Sequence, residues 1–216
     1  MFENIIKNVH NRHPLIHCIT NYVSINDCAN IVLACGGAPI MAEDINEVSQ
    51  ITSICQGLDI NIGMLNDNKL SSMLKAGATA NELGIPVILD PVGAGSSDYR
   101  IKAVQNLMSN VQFGVIRGNV SEIKAIAAKQ GIHNIAAGVY DTMQKDKSAM
   151  GVEAGIADKI TDDNIKEMAD FINKLSQKTG AVIAVTGGID MVADENRVYA
   201  IRNGHKMMSL VTGAGC

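Results

Sequence analysis

Asp90 stands in the stretch DPVGAG, directly after the apolar run PVIL and directly before a glycine-dotted turn. Glu122 follows Asn119 by three residues in GNVSE. An Asn with a Glu at i+3 reads in two ways, as a helix capping box or as a carboxylate offered to a ligand one turn into a helix. Magnesium keeps most of its water and takes one or two carboxylates beside phosphates, so Asp90 and Glu122 form a candidate metal pair. Arg117 supplies a planar fork for a phosphate. Thr186 in VTGG adds a hydroxyl, and in TGAGC the backbone N–H groups around Gly213 and Gly215 can form an anion nest. A lone Gly-x-Gly turn is weak evidence; its place after an apolar run, beside an arginine and two acids on other turns, gives it weight. This chemistry fits transfer of a nucleotide phosphate to a small hydroxyl compound. The chain has no G-x-x-x-x-G-K-[ST], which excludes a P-loop kinase.

The elements that must position these groups alternate along the chain. Periodicity and turn signals predict helices over 5–12, 24–35, 43–55, 67–83, 99–109, 121–129 and 163–179. Ser24 is the expected cap of the second, and Gly36 and Gly37 end it. Strands are predicted over 14–20, 38–41, 58–63, 86–90, 113–118 and 181–187, with PVILD expected to be buried on both faces. Short strands over 190–194, 197–202 and 206–211 read as an antiparallel meander. The fold class is therefore α/β, a mostly parallel central sheet with helices on both faces and an antiparallel edge near the C-terminus. No Pro/Ser-rich linker interrupts the alternation, so residues 1–216 are read as a single domain. Residues 133–160 are glycine-dotted and weakly periodic, and are expected to form a surface excursion.

In open α/β sheets ligands bind beyond the carboxyl ends of the strands. Thr20, Asn21, Met41, Gly63, Met64, Asp90, 117–119, 186–188 and 212–216 all fall there, a set rich in small and polar groups. The bulk properties narrow the partners. With 47% apolar and 19% charged residues, 216 residues can bury a real core. A net charge of −4 with no basic run argues against nucleic acid. No run approaches the roughly 18 apolar residues of a membrane span, and MFENIIKNVHNRHP lacks a signal-peptide core, so a cytoplasmic location is expected. The five cysteines form no Cys-x-x-Cys pair and are expected as thiols, with Cys28 and Cys35 as small buried hydrophobes. His10, His13 and His17 do not read as a zinc site, because Pro14 breaks the helix that would align them.

Residues 14–44, with INIGML, AGATANELGIPVILDPVGAG, IRGNVSEI and VTGAGC, resemble hydroxyethylthiazole kinase, of the ribokinase-like superfamily. The resemblance runs in order from Pro14 to Cys216, and HCITNYV and PVILDPVGAG are its most specific segments. It implies a ribokinase-like fold and phosphorylation of 4-methyl-5-(2-hydroxyethyl)thiazole by ATP with Mg²⁺, a thiamine-salvage step, in a homotrimer. It further implies that Met41, Asn21 and Val23, with Gly213, hold the thiazole. Arg117 and Thr186 would contact the ATP phosphates, and Asp90 with Glu122 would hold Mg²⁺. Cys216 falls where most of the wider superfamily places an aspartate base, and is expected to orient or accept the substrate hydroxyl. Relatives continue beyond this cysteine into a glycine- and alanine-rich helix, so the sequence reads as a kinase domain without its C-terminal helices. A second departure is GVEAG at 151–155, where the family has Gly-Val-Asp followed by Ser or Thr. Two rival readings are a ribokinase-like kinase for another small alcohol such as a pyrimidine, and a catalytically silent ligand-binding oligomer.

Overall fold

The computed structural model describes residues 2–130 and 159–210. The chain divides into two compact units, Met1–Asp90 with Leu107–Gln112, and Pro91–Asn106 with Phe113–Cys216.

The first unit carries four parallel strands in the order β2-β1-β3-β4: β1 (Leu15–Ile19), β2 (Ala38–Ile40), β3 (Gly57–Asn61) and β4 (Val87–Asp90). Parallel pairing requires a crossover between successive strands. Helices α2 (Ile25–Ala34), α3 (Val48–Ser53) and α4 (Asp67–Glu82) supply it, and α1 (Phe2–Arg12) precedes β1. Helix α4 starts at Asn66, whose side chain accepts the Lys69 N–H at 2.8 Å, and is followed by Gly84 at φ +67° before Pro86. Its buried stripe is Lys69, Ser72, Met73, Ala76, Gly77 and Ala80. The small members of that stripe admit Val111: a Cβ added to Gly77 would lie 2.5 Å from Val111 Cγ2. Gly77→Ala is therefore expected to overpack this contact and cost about 1–3 kcal/mol, read as a lower urea midpoint with an unchanged m-value.

The second unit has strand order β5-β6-β7-β8. Here β5 (Val115–Asn119) and β6 (Val182–Thr186) are parallel, while β7 (Asp190–Ala193) and β8 (Val198–Ile201) run antiparallel. Helix α5 (Asp98–Asn110) begins in this unit, and α6 (Val120–Lys129) follows β5 without a loop. Helix α7 (Ile165–Thr179) buries Met168, Phe171, Ile172 and Leu175, spaced at three and four residues, and ends at Gly180 with φ +70°. The β7–β8 turn closes on Asp194, whose carboxylate accepts the N–H groups of Asn196 and Arg197 at 2.8 and 2.7 Å.

The α/β class, the largely parallel strands and the antiparallel C-terminal strands agree with the sequence reading. Several local expectations do not. Residues 206–210 form a 3-10 helix, Lys206–Leu210, rather than a strand; Met208 N–H bonds back to the His205 carbonyl at 2.9 Å and Met207, Met208 and Leu210 stay exposed. With no apolar face buried, the run has nothing to drive strand pairing. In β4 Val87 and Leu89 are buried but Ile88 is 41% exposed, so PVILD is not buried on both faces. The helix expected over 43–55 begins only at Val48, because the Asp44 carboxylate captures the Asn46 N–H at 2.8 Å and sets a turn first. Cys28 is half-buried and Cys35 exposed, since α2 buries no residue; all four described cysteines are free. Ser24 precedes α2 but makes no side-chain cap, its hydroxyl donating to Asn21 instead. The excursion read over 133–160 lies, but for Lys159 and Ile160, outside the described residues.

Candidate active site

In the first unit the carboxyl ends of the parallel strands carry a connected set of polar side chains. Asn21, two residues past β1, is buried. Its Oδ1 accepts the Ser24 N–H and hydroxyl, each at 3.1 Å, and its Nδ2 donates to Asn61 Oδ1 at 3.1 Å. Asn61 ends β3; its Oδ1 also accepts the Gly63 N–H at 2.8 Å, and its Nδ2 donates to Asp90 Oδ2 at 2.8 Å. These partners fix both amide orientations, since each oxygen faces donors and the second nitrogen faces a carboxylate. Asp90 thus ends β4 with one oxygen anchored on its neighbouring strand. Asn21 and Asp90, two of the residues singled out above, are joined through Asn61, which was not.

Two buried groups beneath this rim were also missed. His17 in β1 is 0% exposed. Its Nε2 lies 2.8 Å from the Ala42 carbonyl and its Nδ1 2.9 Å from the Thr52 hydroxyl. A carbonyl only accepts, so Nε2 carries the proton and neutral Nδ1 accepts from Thr52. His17 thereby pins the residue next to Met41, which sits half-buried just past β2. Burial holds the His17 pKa below its usual value, outweighing the Ala42 hydrogen bond and the Glu47 charge. The unfolded chain therefore takes up a proton near pH 6.5 that the folded chain refuses. Stability is expected to be full above that pH and to fall on acidification below it, by at most about 1.4 kcal/mol per pH unit. Urea denaturation across this range checks it, and His17→Gln should flatten the slope.

Lys69, on the buried stripe of α4, donates from Nζ to the Thr20 carbonyl at 2.6 Å and pairs with Glu43 at 2.9 Å. Its ammonium lies 4.5 Å from the Tyr22 ring centroid, and the Tyr22 hydroxyl donates to Glu43. Val23, beside Tyr22, is 75% exposed. The available signal was a lysine at i, i+3, i+4, i+7 spacing with Ser72, Met73 and Ala76, a charge on an apolar stripe.

In the second unit Glu122 is almost fully buried. Its Oε2 accepts the Asn119 N–H at 2.8 Å while Asn119 Oδ1 accepts the Glu122 N–H at 2.9 Å, a complete capping box. Its Oε1 accepts the Gly93 N–H at 2.8 Å, tying the turn after DP to the start of α6. A Cβ on Gly118 would lie 2.9 Å from Glu122 Oε2, so a larger residue here would displace this carboxylate. Arg117 pairs in register with Ala184, and Asn119 with Thr186. By strand alternation Arg117 and Thr186 share one face of the sheet. Thr186 ends β6, with its hydroxyl 3.5 Å from the Gly118 carbonyl. Gly213 and Cys216 lie outside the described residues. Among the described residues no group of three or more His, Cys, Asp or Glu gathers for a metal.

The family model for the hydroxyethylthiazole kinase family matches residues 6–216. The chain belongs to this family. It is 52% identical to the hydroxyethylthiazole kinase of Clostridium acetobutylicum over 216 residues, spanning all of this chain and 73% of that protein. The solved hydroxyethylthiazole kinase of Pyrococcus horikoshii OT3 superposes with a TM-score of 0.80 at 32% identity, covering 99% of this chain and 71% of that one. A ribokinase-like superfamily protein of Enterococcus faecalis V583 superposes at a TM-score of 0.54 with 9% identity, covering 93% of this chain and 66% of that one, a likeness of fold. The hydroxyethylthiazole kinase resemblance and the ribokinase-like α/β fold read from the sequence both hold.

Proposed function

We propose that this protein is a kinase that transfers a phosphoryl group from ATP to the hydroxyl of 4-methyl-5-(2-hydroxyethyl)thiazole, a step of thiamine salvage. The observation that carries this reading is the family match over residues 6–216. Asn21, Val23 and Met41 hold the thiazole with Gly213, Arg117 and Thr186 bind the ATP phosphates, and Cys216 orients or accepts the substrate hydroxyl. Phosphoryl transfer passes through a loose transition state in which positioning and charge dominate, so a thiol suffices at the hydroxyl.

The donor set suits Mg²⁺, because Asp90 and Glu122 offer hard carboxylate oxygens. A carboxylate has about four acceptor directions, so backbone capping and a water-mediated cation contact are compatible on one Glu122. When bound, the ion would offset negative charge on the phosphates. Asn61 keeps Asp90 oriented, and the Asn119 and Gly93 N–H groups do the same for Glu122.

A homotrimer in the cytoplasm completes the reading. Helix α2 is apolar yet buries no residue, with Ile31 and Leu33 more than half exposed, which supports a face covered by another copy. Among the described residues no helix is long and apolar enough to cross a membrane.

The test is incubation with ATP, Mg²⁺ and a panel of small alcohols, followed by mass spectrometry of the products. Thiazole phosphate is expected. Phosphorylation of a pyrimidine alcohol but not the thiazole would overturn the substrate, and binding without any turnover would overturn the kinase reading.

A further inference from the structure

We propose that Lys69, latched by Glu43 and Tyr22, is a positioning residue that sets the geometry of the alcohol-binding segment. The inference rests on the reading above that Asn21, Val23 and Met41 hold the thiazole. A lysine is almost never fully buried unless its charge is paired. Lys69 is 3% exposed, and its ammonium is directed onto three partners from two chain segments that follow neighbouring strands. The Thr20 carbonyl and the Tyr22 ring come from the segment after β1, and the Glu43 carboxylate from the segment after β2. The Tyr22 hydroxyl closes the set by donating to the same carboxylate.

This arrangement sits where the chain leaves the core. Thr20 and Asn21 are buried, whereas Tyr22 and Val23 are exposed. With the Thr20 carbonyl and the Tyr22 ring both held by the Lys69 ammonium, the Asn21 backbone between them is restrained. Asn21 is further held by Ser24 and Asn61. Glu43 stands two residues after Met41, so the same ammonium ties both candidate thiazole segments to one point on α4. Nothing in the latch is reactive, and none of its three side chains is assigned a role in the transfer. Its contribution is to ground-state geometry on the alcohol side alone.

The experiment measures steady-state kinetics and calorimetric thiazole binding for Lys69→Met, Glu43→Gln and Tyr22→Phe beside the parent. The thiazole KM and Kd are expected to rise about tenfold in Lys69→Met, within the roughly hundredfold that a 1 Å misplacement can cost. The KM for ATP should stay within about twofold and kcat within about threefold, the pattern of lost uniform binding. Glu43→Gln and Tyr22→Phe should shift the same constants in the same direction by smaller factors. A lower melting temperature with an unchanged thiazole Kd would overturn the proposal, as would equal effects on both substrates. Should Lys69→Met fail to fold, Glu43→Gln decides, since Glu43 is 43% exposed and its amide keeps the shape. A parent that turns over the thiazole while the variants keep its KM sinks the latch alone; a parent that does not turn it over sinks the functional reading.

Discussion

Glu122→Ala is expected to weaken the second unit and to bring turnover below about a hundredth of the parent. Its carboxylate accepts two backbone N–H groups, from Asn119 and Gly93, and removing it takes that acceptor from both. Each donor deprived of this acceptor costs roughly 1–3 kcal/mol, so a total of about 2–6 kcal/mol is expected. Urea denaturation reads this loss directly. Glu122→Gln separates structure from chemistry. The amide keeps one acceptor but turns a second donor toward one of the N–H groups, so about 1–2 kcal/mol of the loss should remain. If Glu122 holds Mg²⁺, the Gln variant should be nearly as inactive as the Ala variant, and raising Mg²⁺ should restore part of its rate. Full activity in a destabilised Gln variant would reduce Glu122 to a cap.

For Asp90→Asn the expectation is the reverse balance, with stability preserved and catalysis lost. An asparagine oxygen can still accept from Asn61, so the strand-end contact survives and the denaturation midpoint should move by less than about 1 kcal/mol. The charge is gone, however, and in the proposed metal role that charge is what holds a divalent cation. Turnover should fall at least about a hundredfold, with the Mg²⁺ concentration for half-maximal rate displaced upward. Mn²⁺ binding followed by electron paramagnetic resonance in the presence of a non-hydrolysable ATP analogue gives a reading independent of rate. Parent-like Mn²⁺ affinity in the variant would remove Asp90 from the metal role.

These residues were visible in the sequence for a physical reason. Asp90 ends a short apolar run, and Glu122 sits at cap spacing from Asn119, signals written within a few neighbouring residues. The strand–helix alternation is local in the same sense, and helices such as α4 and α5 lie within a residue of where periodicity puts them. What escaped is set by contacts between distant positions. Lys69 meets Thr20 across 49 residues and Asn61 meets Asn21 across 40, and no periodicity announces such pairs. Ile88 and the run at 206–210 escaped for the opposite reason: their apolar composition promised burial, and composition does not say whether a neighbour is there to provide it.

The polar series from Ser24 through Asn21 and Asn61 to Asp90 has a direction. Every proton in it points the same way, hydroxyl to amide oxygen, amide hydrogen to amide oxygen, amide hydrogen to carboxylate. Dipoles aligned head to tail reinforce one another, so the acid at the end of β4 meets the positive end of a row rather than of a single bond. Neither carboxamide ionises, and so this row keeps its sign through acid and alkaline conditions alike. An imidazole in either place would have made the same connection reversible.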